Sequence, residues 1–118
     1  MTTSERLDAT FMALADPTRR AILARLAHGE ASVTELQEPF ELSQPAISKH
    51  LKVLERAGLV SIGQNAQRRP RRIETEPLAH ANAWIERLRE NFEANYRRLD
   101  ALLAELQGKS KKRRRNKK

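Results

Sequence analysis

The feature that most constrains this chain is a run of residues spaced three and four apart between positions 78 and 106. In order they read Leu78, Ala81, Ile85, Leu88, Phe92, Asn95, Leu99, Leu102 and Leu106. That spacing lays one almost unbroken apolar stripe along a long helix from Pro77 to Leu106. A stripe of this length exceeds what a small domain needs for its own core, so it predicts a seam against a second chain. Asn95 interrupts it, either fixing register within the seam or facing solvent as the helix drifts from the ideal repeat. Trp84 and Tyr96, on the same helix, read as interface packing before they read as the lining of an effector pocket. Gly108 is expected to end the helix. The domain then spans 1–108, and 109–118 is a basic tail expected to be disordered.

Upstream of the long helix the chain is cut into short pieces. Leu7, Phe11 and Leu14 have helical spacing within Ser4 to Leu14. Asp16-Pro17 is an N-cap followed by proline at a position that needs no donor, and it opens a second helix to about Ala27. His28-Gly29 stops that helix. Ala31 to Val33 reads as extended, and Thr34 is expected to cap a third helix through Glu38, limited by Pro39. Ser43 caps a fourth, which buries Ile47, Leu51 and Leu54 and ends at Ala57-Gly58. Leu59 to Gln64 and Arg68 to Thr75 then read as two strands about an Asn65-Ala66-Gln67 turn, with Pro70 confining the second to an edge or a bulge.

The third and fourth helices, joined by a turn at Phe40-Glu41-Leu42, have the proportions of a helix-turn-helix, and the hairpin beside them is a wing. The expected fold is thus mainly α: a dimeric winged helix-turn-helix of four helices, a β-hairpin wing and a fifth helix. The fourth helix offers Pro45, Ser48, Lys49 and Lys52 opposite its apolar side, with Ser43 and Gln44 at its leading end. Glutamine pairs with adenine, serine contacts several bases, and Ala46 could touch a thymine methyl. Lys49 and Lys52 suit phosphate, which sets position rather than sequence. His50 sits at the boundary between faces.

Charge distribution agrees with this placement. The 118 residues carry a net +8, but the last ten hold eight basic residues and no acid, so the body is neutral. Within that body residues 1–42 carry −3, 43–76 carry +4 and 77–108 carry −1. The cationic third is the one holding the helix-turn-helix and the wing, including Arg68, Arg69, Arg71 and Arg72. Four arginines in five residues repel one another unless an anion is near, which points to DNA backbone or minor groove.

Residues 13–23, Ala-Leu-Ala-Asp-Pro-Thr-Arg-Arg-Ala-Ile-Leu, and 42–54, Leu-Ser-Gln-Pro-Ala-Ile-Ser-Lys-His-Leu-Lys-Val-Leu, closely resemble the ArsR/SmtB family. Ala57-Gly58-Leu59-Val60 extends the match into the wing. The resemblance implies a winged-helix homodimer that represses transcription until an effector weakens its hold on DNA. It implies joining through the first and last helices, which adds Leu7 and Phe11 to the seam. By position it carries groove contact onto Ser43, Gln44, Ser48 and His50. Two departures stand out. Many metal-sensing members carry a cysteine motif in the helix before the recognition helix, where this chain has Glu35-Leu36-Gln37-Glu38. Others use Asp/His pairs on the terminal helix, where it has a single His80 followed by Ala81 and Asn82. Its wing is also arginine-rich in place of the usual glycine-tipped, tyrosine-containing hairpin.

Other classes find less support. The chain has no cysteine, which excludes disulfides and thiolate metal sites. His28, His50 and His80 are scattered, so neither a metal nor another cofactor is expected. A metal sensor built on His80 with carboxylates across a dimer is the rival within regulation. An architectural protein coating DNA through wing and tail is the rival outside it. No catalytic constellation can be assembled, so an enzyme is not expected. No apolar run reaches the ~18 residues of a membrane span, and Glu5, Arg6 and Asp8 are unlike a signal peptide. The expected setting is the cytoplasm, in association with the nucleoid, with double-stranded DNA and a second copy of the chain as partners.

Overall fold

The computed structural model describes residues 2–65 and 67–116. Its elements run α1 (Thr3–Leu14), α2 (Pro17–Leu26), α3 (Val33–Phe40), α4 (Gln44–Arg56), β1 (Val60–Ile62), β2 (Arg71–Ile73) and α5 (Glu76–Asn116). They fall into two compact units, 1–82 and 83–118. The expected order of four helices, hairpin and fifth helix is the observed one.

Local chemistry accounts for several helix boundaries in the first unit. The Asp16 carboxylate accepts from the Arg19 amide at 2.9 Å, and Pro17 follows as the first residue of α2. Arginines from that helix close the one before it. Arg19 Nε donates to the Ala13 carbonyl and Arg20 Nη1 to the Leu14 carbonyl, at 2.8 and 2.7 Å, satisfying carbonyls that α1 leaves open at its C-terminus. Ser43 Oγ caps α4 by accepting from the Ala46 amide, and Gly58, at φ 75°, follows its end.

The third helix differs from expectation. Its N-cap is Ser32, not Thr34, and a full capping box joins Ser32 to Glu35. The reason lies one residue earlier. The amide and carbonyl of Ala31 pair with Arg71 in a β-bridge at 3.1 and 2.7 Å, so the chain is held extended up to Ser32 and turns helical at Val33. Pro39 sits inside the last turn rather than stopping the helix before it. The helix closes instead through Glu41, which adopts a left-handed backbone at φ 53°.

Eleven buried apolar residues form the core, with Ile22, Leu26, Leu36, Ile47, Leu51, Leu54 and Leu59 its largest fully buried members. Each such side chain contributes roughly 1.5–3 kcal/mol relative to exposure. Leu36 from α3 and Ile47, Leu51 and Leu54 from α4 meet in this core, which fixes the two helices as one helix-turn-helix unit. The strands pair antiparallel, Val60 opposite Ile73 and Ile62 opposite Arg71. They are shorter than the spans expected from sequence because Pro70, lacking an amide, ends the regular ladder. Its carbonyl still accepts from Gly63 at 2.7 Å.

In the second unit α5 continues through Gly108 to Asn116, where the sequence reading ends the helix at Gly108. A glycine in a helix interior costs only ~1 kcal/mol relative to alanine. Glu105 and Lys109 form an i,i+4 pair at 3.6 Å that spans it. Of the tail expected to be disordered, Lys117 and Lys118 lie outside the described residues.

Candidate nucleic-acid interface

The outer face of α4 is built by the same pattern that buries its inner face. With Ile47, Leu51 and Leu54 in the core, Ser43, Gln44, Pro45, Lys49 and Lys52 are exposed, and Ala46, Ser48 and His50 are half-buried. Ser43 spends its acceptor on the cap, but its hydroxyl proton stays available to donate. His50 is not directed wholly outward. Its Nδ1 lies 3.8 Å from Asp16 Oδ2, linking the recognition helix to the cap of α2. Hydrogen bonding to the Arg19 amide holds the Asp16 carboxyl below its ordinary range, with His50 adding to the effect.

At the wing tip the Asn65 side chain accepts from the amides of Gln67 and Arg68, both at 3.1 Å. Arg69 follows in a left-handed conformation, φ 46°, with its amide bound to the Asn65 carbonyl. Gly63 opposes Pro70 so closely that a Cβ there would lie 2.9 Å from the ring. The glycine is therefore a steric requirement of this proline-bearing wing.

The four wing arginines do not face an empty field. Arg68 pairs with Glu35 at the start of α3, Arg71 with Glu55 on α4 at 3.0 Å, and Arg72 with Glu30 at 3.7 Å. The Arg68 hydrogen bond, followed by that from Ser32, pulls the Glu35 carboxyl below its ordinary range, and Glu35 in turn raises Arg68. Arg69 has no ion pair among the described residues. Their mutual repulsion is thus largely answered within the chain. Arg71 differs most from the sequence expectation, being turned inward with a side chain only 13% exposed. Glu30, Glu35 and Glu55 are the residues that sequence reading missed. The partners lie 33 residues apart for Arg68 and 16 for Arg71, beyond any local signal.

The residues expected at a seam divide in two. Leu78 packs against the core cluster and Ala81 is 4% exposed, so both are occupied before any second chain arrives. Ile85, Leu88, Phe92, Leu99, Leu102 and Leu106 are exposed, as is Asn95, and Phe92 is 68% open. Tyr96 and Leu103 extend the exposed stripe. Phe92 and Tyr96 stack with ring centroids 6.5 Å apart, so apolar surface passes Asn95 on its neighbour. On α1, Leu7 is half-buried and Phe11 is at the margin of exposure, while Met12 is 69% exposed.

Among the described residues no group of three or more His, Asp or Glu side chains is placed to hold a metal ion, and His80 Nε2 lies 3.8 Å from Glu76. No described helix is long and apolar enough to cross a membrane.

Comparison with known proteins places the fold. A helix-turn-helix domain family matches residues 14–62. The chain is 42% identical over 87 residues to the HTH-type transcriptional regulator Rv2034 of Mycobacterium tuberculosis, a match covering 74% of this chain and 81% of that protein. Its structure is similar to that of an ArsR-like transcriptional regulator from Rhodococcus sp. RHA1, with TM-score 0.72, 31% identity, and coverage of 85% of this chain and 92% of that one. It is similar also to the homodimeric winged helix-turn-helix DNA-binding domain of Mb0332 from Mycobacterium bovis, a possible ArsR-family regulator. There the TM-score is 0.60 at 25% identity, covering 77% and 84% of the two chains. The first two are named as transcriptional regulators and the third as a possible one. With its helix-turn-helix, its two-stranded wing and this degree of identity, the chain belongs to the ArsR/SmtB family of winged helix-turn-helix transcriptional regulators.

Proposed function

We propose that the protein is a homodimeric repressor that recognises one operator sequence. The N-terminal half of α4 enters the major groove, where Gln44, Ala46 and Ser48 read base edges, with Ser43, Pro45 and His50 beside them. Lys49 and Lys52 hold phosphates. Arg68, Arg69 and Arg72 of the wing meet the backbone or the minor groove, exchanging the carboxylates of Glu35 and Glu30 for DNA phosphates in the cases of Arg68 and Arg72. The observation that carries this reading is the exposed face of α4. From Ser43 to Leu54 it bears two lysines and no acid, and its apolar side is already spent in the core.

A second copy, paired through the exposed stripe of α5 with help from α1, sets two recognition helices about one helical turn apart on a roughly palindromic site. Repression follows from occupying promoter DNA within the nucleoid, and the basic tail adds sequence-independent affinity. The dimer rests on the apolar side chains that α5 leaves exposed, and on the homodimeric state named for the Mb0332 domain.

The test is fluorescence anisotropy with the duplex immediately upstream of the protein's own coding sequence, against a random duplex of equal length, at about 150 mM salt. A preference of ~10³-fold or more for the upstream duplex is expected of a specific regulator. Equal, steeply salt-dependent binding to both would replace this reading with that of an architectural protein.

A further inference from the structure

We propose that Arg71 and Glu55 form a buttress that sets the wing against the recognition helix, so that Glu55, an acid on a DNA-binding helix, is needed for DNA binding. The inference rests on the functional reading above and assigns Arg71 a positioning role in place of a DNA contact.

Arg71 is the most heavily engaged residue of the wing. Its amide and carbonyl pair with Ala31, ahead of α3. Its Nε donates to Glu55 Oε1 at 3.0 Å, and its Nη1 donates to the Arg69 carbonyl at 2.6 Å. One side chain thus ties the wing strand to α4 and also fixes the backbone of Arg69, the residue held left-handed at the tip. A guanidinium engaged in this way and 13% exposed does not present a free fork to a phosphate.

Glu55 needs a reason of its own. It lies in the last turn of α4, where the helix dipole disfavours a negative charge, and on the element proposed to approach a polyanion. Its neighbour Arg56 is the cation that such a position favours. The pairing with Arg71 supplies the reason, because a half-buried carboxylate at the end of the rigid helix gives the wing a fixed anchor.

The sign of one substitution separates this from a simple charge effect. Removing an acid ordinarily tightens binding to DNA. Glu55→Ala is instead expected to weaken binding to the duplex upstream of the coding sequence by roughly tenfold, within the coupling range for residues in contact. The salt dependence should also become shallower by about 0.9 for each phosphate that the wing ceases to neutralise. Arg71→Ala should do the same, and the double variant should be no worse than either single one. Tighter or unchanged binding by Glu55→Ala, with a salt slope for Arg71→Ala that is shallower by a single phosphate, would overturn the buttress and make Arg71 a DNA contact.

Circular dichroism at the assay temperature establishes that each variant is folded. Should Glu55→Ala not fold, Glu55→Gln carries the same test, since it keeps an acceptor oxygen and is expected to weaken binding by less, in the same direction. Amide exchange in the DNA-free protein gives an independent readout. Glu55→Ala should speed exchange at Gly63 and Arg71 severalfold and leave α2 unchanged, and unchanged exchange at Gly63 and Arg71 would sink the proposal. If the wild-type protein fails to prefer the upstream duplex, the operator reading falls, while amide exchange still decides the buttress.

Discussion

Asp16 Oδ2 stands 3.8 Å from His50 Nδ1 and 2.9 Å from the Arg19 amide, so one carboxylate both starts α2 and meets the recognition helix. Because the fold favours the ionised form of Asp16, and of Glu35 through Arg68, both carboxyls titrate below their ordinary values. Their contribution to stability is complete above the ordinary carboxylate range and is lost as pH falls through the depressed folded values. Thermal melts between roughly pH 5 and pH 2.5 should show a falling midpoint. Asp16→Asn, which keeps a good N-cap, should flatten that fall. An identical pH profile for wild type and variant would remove Asp16 from the account.

Two glycines predict opposite outcomes. At Gly63 a new Cβ meets the Pro70 ring at 2.9 Å, and Pro70 is buried, so Gly63→Ala should destabilise by about 1–3 kcal/mol. At Gly108 nothing lies within 4 Å and the backbone is helical, so Gly108→Ala should stabilise α5 by up to ~1 kcal/mol. Melting curves of both variants check the pair. A gain at Gly63 would mean that the wing does not close over its proline as described.

Neither glycine's role was legible in the sequence, whereas several helix caps were. Asp16, Ser43 and Gly58 could be read because a cap is decided within three or four residues. Ser32 and Thr34 compete on local grounds, since Glu35 follows one by three residues and Gln37 follows the other by three. The choice is made by Ala31, pinned to Arg71 across the fold. The same distance hid the partners of the wing arginines. Their density predicts an anion, but only folding brings Glu30, Glu35 and Glu55 beside them. The α4 face was the most legible part of the site, since Ile47, Leu51 and Leu54 fix its orientation from one helix alone.

Inner and outer faces of α4 should respond differently to truncation. Leu51→Ala opens a fully buried site and should cost about 2–5 kcal/mol, which lowers DNA binding only by unfolding the protein. Lys52→Ala lies on the exposed face and should leave the melting curve within about 0.5 kcal/mol. It should weaken binding to specific and random duplexes alike and reduce the salt slope by about 0.9. An unchanged slope would take Lys52 off the phosphate backbone.

The exposed stripe of α5 gives a test in which a single chain and a dimer predict different results. Leu99 is 52% exposed in the lone chain, so Leu99→Asp would cost a monomer little. In a dimer sealed by the stripe it places a charge in an apolar seam, where an unpaired charge costs several kcal/mol. Sedimentation equilibrium should therefore show a wild-type dimer and a variant shifted to monomer at the same concentration. The wild-type melting temperature should rise with protein concentration, as mass action requires, and that of the variant should not. Affinity for the upstream duplex should fall with the dimer, because one recognition helix then reaches only half of a palindromic site. A variant that remains dimeric would move the seam off Leu99 and toward α1, where Phe11 and Met12 also expose apolar surface.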